Sequence, residues 1–245
     1  MARYFIEVSY NGSNYAGFQI QQNANSIQSE VEKALKVFFK EDFQLTGSSR
    51  TDAGVHAIQN YFHFDSNMLP VEDLLERIVY NINAILPDDI VVKAIRKVKD
   101  DAHCRFDAIE RVYRYYVYRT KNPFVADRAY YYPYKLDLIS LQQAATALLE
   151  YEDFTSFSKK NTQVKTFNCK LTRSFWAEED NMLIYTVSGN RFLRGMVRGL
   201  VGTMLKVGTQ KITLDDFKQI ILSKDCSKAD FSVPPQGLFL EQVLY

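Results

Sequence analysis

Residues 47–57, GSSRTDAGVHA, set Arg50 and Asp52 two positions apart, with Ser48, Ser49 and His56 around them and Gly47 and Gly54 on either side. Glycine, serine and aspartate are ordinary turn residues, so Asp52 could simply cap a backbone turn. The arginine asks for a further reason. Residues two apart in extended chain project to the same side, and a guanidinium there would hold the carboxylate ionised and oriented. The two glycines would let the backbone approach a ligand closely. No second carboxylate, Ser-His pair or phosphate-cradling Gly-Lys loop accompanies the pair, so the chemistry on offer is that of one anionic carboxylate acting alone.

Two further groups can bind rather than react. RVYRYYVYR, 111–119, alternates with period two, placing Tyr113, Tyr115 and Val117 on one face and Val112, Arg114, Tyr116 and Tyr118 on the other. Such tyrosines commonly pack a sheet, but aromatic faces interleaved with arginines also stack on unpaired bases and meet phosphates. The pattern does not choose which tyrosine. Arg191, Arg194 and Arg198 follow one another at helical spacing, which predicts a basic helix flank that is either solvated or bound to phosphate.

The elements that must position these residues read as follows. RYFIEVSY (3–10) is a strand. Ser26 caps a helix with Ile27, Val31, Leu35 and Phe38 on one face, closed by Lys40. FQLT (43–46) and AIQNYFHFD (57–65) are paired strands joined by the Arg50-Asp52 loop. Pro70 opens a helix with the stripe Leu74, Ile78, Ile82, Ile85, ended before Pro87, and DIVVKAIRKV returns as a strand. The order is β-α-β-β-α-β. From 111 onward it repeats more loosely: the tyrosine-rich strand, a helix over Leu138–Glu150, a short strand or turn at FTSF, and a hairpin turning at Glu179-Asp180-Asn181. A helix over Phe192–Val207 follows, in which Gly195, Gly199 and Gly202 admit a close neighbour. Thr213 caps a last helix with Asp216 at the reciprocal position, and LFLEQVLY is the final strand. The expectation is an α+β protein of two pseudo-duplicated halves with antiparallel sheets, divided into 1–105 and 106–245, the ferredoxin-like build of many RNA-binding modules.

Hydrophobic residues at 47% and charged residues at 24% describe a globular chain and exclude low-complexity and collagenous classes. No apolar run suits a bilayer, and Met1-Ala2-Arg3 leads into a strand rather than a signal-peptide core, so no membrane partner and a cytoplasmic setting are expected. Cys104, Cys169 and Cys226 are too few and too scattered for a disulfide framework or a Cys-x-x-Cys knuckle. His56, His63 and His103 could join Cys104 around a metal, but they show no ligand spacing on one element, so neither metal nor cofactor is expected. The net charge is only +1, yet basic residues crowd into 105–121 and 191–206 while acidic ones gather at 72–76, 150–153 and 178–180. Distribution, not the sum, bears on a nucleic-acid partner.

With these residues in view, GSSRTDAGVHA resembles the GRTDAGVHA signature of the tRNA pseudouridine synthase family of the A type. The resemblance runs along the chain through YNGSNYAGFQIQ, CRFDA, RVYRYYVY, EDFTSF, FLRGMVRGLVGTMLKVG and PPQGLFLEQVLY. Asn11, Phe18 and Ser49 depart from the family's usual Asp, Trp and Gly. The resemblance implies the pseudouridine synthase fold. It also implies a homodimer acting without cofactor on uridines at the 3′ side of the tRNA anticodon stem-loop. It makes Asp52 the nucleophile, Arg50 its electrostatic partner, Tyr113 the residue stacked on the target uridine, Arg198 a second basic pocket residue, and Leu238 part of the apolar wall.

Isomerisation of uridine breaks the bond from ribose C1′ to N1 and rejoins the base through C5, with no net gain or loss of atoms. One carboxylate suffices, whether it attacks C1′, adds to the base, or removes the C2′ proton. Two rivals share features of the chain. A non-catalytic RNA-binding protein would keep the duplicated order and the Tyr/Arg-rich strand, and an N-glycosylase would use the carboxylate but release free uracil.

Overall fold

Alternating burial along residues 2–10 shows how the first part of the chain is organised: Tyr4, Ile6, Val8 and Tyr10 are buried, and the residues between them are half-buried. The structure, a computed structural model, describes residues 1–67, 69, 74–160 and 164–245. They fall into two compact units, Met1–Ile109 with Phe239–Tyr245, and Glu110–Leu238. The expected second half spans 106–245, whereas residues 106–109 and 239–245 lie in the first unit.

In the first unit, strands β1 (Ala2–Tyr10), β2 (Thr46–Gly47), β3 (His56–Ser66) and β4 (Ile90–Lys97) accompany helices α1 (Ile27–Phe39) and α2 (Leu75–Asn83). β1 runs antiparallel to β3 from Ala2↔Ser66 to Tyr10↔Ala57 and antiparallel to β4 on its other side. α1 starts at the expected cap, with Ser26 and Ser29 bonding reciprocally, and buries Ile27, Val31, Ala34 and Leu35; Phe38 is half-buried. α2 buries Leu75, Ile78 and Ile82, followed by Leu86. The stripe therefore begins one residue later than predicted: Leu74 is the N-cap and Ile85 follows the end of the helix at Asn83, and both are exposed. Pro70, expected to open that helix, lies outside the described residues.

In the second unit, β5 (Glu110–Tyr118), β6 (Tyr130–Tyr131), β7 (Leu171–Glu179) and β8 (Met182–Gly189) accompany α3 (Leu138–Ala147), α4 (Met196–Gly208) and α5 (Leu214–Leu222). β8 lies between β5 and β7, antiparallel to both, and seven of its eight residues are buried. The β7–β8 turn has Asp180 and Asn181 at φ of 49° and 63°, the left-handed pair that a tight two-residue hairpin requires. α4 is buried nearly throughout. Gly202 is needed because a Cβ there would stand 2.2 Å from Asp230 O. α5 has the expected Thr213–Asp216 capping box.

The last strand, β9 (Leu238–Leu244), pairs in parallel with β3 through His56↔Phe239 and Ala57↔Leu240, and β6 is parallel to β5. The fold is mixed α+β, but its strand pairing is mixed rather than purely antiparallel. The reason is the return of the C-terminus: β9 enters beside β3 in the same direction, a pairing between distant segments that local periodicity cannot reveal.

Candidate active site

The Asp52 loop is built on the segment that follows β1. Phe18 N donates to Thr51 O at 3.1 Å, and an antiparallel bridge pairs Gly17 with Asp52. Tyr10 Oη and Thr51 Oγ1 share a hydrogen bond of 2.8 Å. Asn60, fully buried on β3, donates from Nδ2 to Ser49 O at 2.8 Å and to Tyr10 Oη at 3.2 Å. Ser48 N donates to Tyr61 O at 2.8 Å, and Val55 N closes the turn on Asp52 O at 3.2 Å. Gly12 N donates to Nδ1 of buried His56 at 3.1 Å, which assigns that nitrogen the acceptor role. Asp52, half-buried, therefore sits on a backbone fixed from both sides. Tyr10, Gly12 and Asn60 are positioning residues not expected from the sequence. Tyr10 and Gly12 belong to YNGSNYAG, but their partners Thr51 and His56 lie more than 40 residues away, and Asn60 carries no local signal.

The glycines serve packing as much as approach. A Cβ on Gly47 would meet the Phe18 ring at 2.4 Å, so this glycine makes room for Phe18 rather than for a ligand, contrary to the expectation. Gly54, at φ +75°, supplies the left-handed turn after Asp52. Phe18 is 1% exposed and lies flat on Phe62 with ring centroids 4.3 Å apart, which makes it a core support beneath the loop. The departure Asn11 caps the turn over Gly12–Asn14 by accepting from Ser13 N, as an aspartate would, and the departure Ser49 is buried.

Arg50 is exposed. It lines a cleft of about 190 Å³ with Thr46, Gln28, His103, Arg105 and Phe106. Arg105 lies over the Phe106 ring at 5.7 Å, so a cation and a well-exposed aromatic face border the same cleft.

In the second unit, Tyr113 is buried on β5 opposite Val187, and its ring meets Phe192 in a T-shaped contact at 4.9 Å that fixes its plane. Arg198 is on α4 and half-buried. Its Nε donates to Val233 O at 2.8 Å and its Nη2 to Phe231 O at 3.4 Å. Tyr115, fully buried, donates to Pro234 O at 2.7 Å, and burial pushes its hydroxyl far above the ordinary phenol range. These bonds hold the segment 231–237 that leads into Leu238, itself buried. Arg191 and Arg194 do not share the Arg198 helix face. Gly195, at φ +74°, is the N-cap, and α4 begins only at Met196.

The histidines separate in the folded chain. His56 belongs to the Asp52 loop, whereas His63 and His103 lie beside Cys104. Burial, helped by the charge of nearby His103, pushes the His63 imidazole down to about 4, so it is neutral at neutral pH.

The family model described as tRNA pseudouridine synthase matches residues 6–107 and 144–245, spans that include the whole Asp52 loop, α4 and β9. The chain belongs to that family. The tRNA pseudouridine synthase A of Parabacteroides distasonis is 44% identical over 245 residues, covering 100% of this chain and 96% of that protein. The protein of the same description from Porphyromonas gingivalis is 43% identical over 249 residues, covering 100% and 98%. The Staphylococcus aureus protein is 38% identical over 244 residues, covering 98% and 91%. As a member of this family the chain is a pseudouridine synthase, an isomerase. Among the described residues no helix is long and apolar enough to cross a membrane.

Proposed function

We propose that this synthase converts uridine to pseudouridine in tRNA, at the 3′ side of the anticodon stem-loop, as a homodimer. The observation that carries the reading is the backbone around Asp52, held by Tyr10, Asn60, Phe18 and His56 so that one half-buried carboxylate is presented at a fixed place. Asp52 is the nucleophile. Fixing its backbone before substrate arrives removes orientational cost from the chemical step.

The target uridine leaves its stack to reach the carboxylate, at a cost of a few kcal/mol. Stacking on Tyr113 contributes about 1 to 3 kcal/mol toward that cost. Arg50 faces the cleft, where its guanidinium can meet a phosphate or take the space the base vacates. Once the C1′–N1 bond breaks, the uracil is retained and turned; N1 regains a proton, and the C5 proton leaves as the new C–C bond forms. Leu238 belongs to the apolar wall that keeps water from the detached base, and Arg198 acts by holding the segment that ends at Leu238.

The test is tritium release from tRNA labelled at uracil C5, with no cofactor added, for the native protein and Asp52→Asn. The variant should retain tRNA affinity and lose isomerisation by at least about four decades, the scale of removing a covalent nucleophile. Substantial pseudouridine formation by Asp52→Asn would remove Asp52 from its role, and free uracil among the products would mark an N-glycosylase.

A further inference from the structure

Away from Asp52, the first unit collects a second group of reactive side chains. His63 on β3, and His103 and Cys104 on the segment after β4, bring two ring nitrogens and a sulfur within 4.8 Å of one another. His63 Nδ1 stands 3.1 Å from Cys104 Sγ, and the thiol also lies 3.1 Å from Thr46 O, to which it donates. The same Nδ1 accepts the Cys104 amide hydrogen at 3.3 Å, so its lone pair is directed at the cysteine. The two imidazoles meet in a T-shaped arrangement at 4.5 Å, and Asp107 fixes the segment by accepting the His103 amide hydrogen at 2.7 Å.

Two imidazoles and a thiolate are a borderline-soft donor set of the kind zinc takes in tetrahedral sites. Bond lengths of about 2.0 to 2.3 Å would place such ligand atoms roughly 3.3 to 3.7 Å apart. The observed cluster therefore needs shifts of only about 1 Å to close on an ion. His63 and Cys104 are buried, while half-buried His103 lines the cleft shared with Thr46 and Arg50. His103 is the member of the cluster that faces this cleft, and three protein donors leave a fourth tetrahedral position for water.

We propose that His63, His103 and Cys104 form a zinc(II) site. On binding, the Cys104 S–H bond breaks, its proton passes to solvent, and a zinc–sulfur bond replaces the thiol's hydrogen bond to Thr46. The ion ties β3 to the segment that carries Arg105 and Phe106. The proposal concerns metal binding by the folded chain and does not depend on the role given to Asp52.

Cobalt(II) and zinc(II) added to the purified protein test it. Cobalt(II) should bind at one equivalent, with a near-ultraviolet thiolate charge-transfer band and release of one proton per ion. Cys104→Ser should lose the band, and His103→Ala, at a half-buried position, should weaken affinity at least about tenfold. Zinc(II) should raise the melting temperature of the native protein and not that of Cys104→Ser. Absence of the band in the native protein overturns the proposal. So does an equal band in Cys104→Ser, which would place the ion on Cys226 or Cys169. Should Cys104→Ser fail to fold, an unchanged affinity in His103→Ala overturns it as well.

Discussion

Gly12→Ala tests whether the backbone of the first motif sets the reactivity of Asp52. An added Cβ would stand 2.0 Å from Val55 O and 2.7 Å from Val55 C, and these are backbone atoms that cannot rotate away. Bringing the carbonyl contact to about 3 Å requires a displacement of about 1 Å. Val55 N is bonded to Asp52 O, and Gly12 N to His56 Nδ1, so the shift passes into the turn that carries the carboxylate. A misplacement of that size costs about 100-fold in rate, or about 2.7 kcal/mol of transition-state stabilisation. The assay is single-turnover pseudouridine formation at saturating enzyme, read by tritium release, with tRNA affinity measured in parallel. The rate should fall about 100-fold with the dissociation constant within about threefold, since Gly12 presents no side chain to RNA. A rate within about threefold of native in folded protein would refute the reasoning, because the loop would then accommodate the methyl group without moving Asp52.

Tyr10→Phe removes the hydroxyl shared by Thr51 and Asn60 and should cost about 1 to 3 kcal/mol in stability, measured by denaturant unfolding, together with part of the isomerisation rate. Arg198→Ala should lower the melting temperature and leave the salt dependence of tRNA affinity unchanged, since its guanidinium bonds Val233 and Phe231 carbonyls; a flatter slope would assign it a phosphate after all. Arg50→Ala should flatten that slope by about one phosphate contact, and an unchanged slope would detach Arg50 from the RNA backbone. Arg3 hydrogen-bonds Asp65 and holds its carboxyl below the ordinary range, so this pair stabilises the fold above the unfolded Asp value of 3.8 and loses that contribution as pH falls through the folded value. The melting-temperature gap between native protein and Asp65→Asn should therefore be largest near neutral pH and close under acid.

Local signals carried far in this chain. The Ser26 and Thr213 caps and the β7–β8 turn depend on neighbours within a few residues, and all three are seen in the structure; the alternation expected on β5 holds only over 113–117, since Arg111, Val112 and Tyr118 are buried as well. Two departures from the expected helices have local causes, and one at a glycine does not. Gly195 at positive φ delays α4 past Arg191 and Arg194, and α2 begins at Leu75, which leaves Leu74 as its exposed N-cap. Gly47 looked like a residue kept small for a ligand, because nothing nearby in sequence announces that Phe18 needs the space.

From the order of residues alone came the family resemblance, the α+β class, and the choice of Asp52 as the candidate for reaction and of tyrosines and arginines as candidates for RNA binding. Each rests on residue type and short spacing, which a linear chain displays directly. Only the tertiary structure decided the rest. It joined Asn60 to Tyr10, bound Arg198 to loop carbonyls, set β9 beside β3 in parallel, and drew His63, His103 and Cys104 together. The physical reason is common to all four: each is a contact between segments far apart in the chain, formed because burying apolar faces brings those segments together and leaves their polar groups to find partners where they meet.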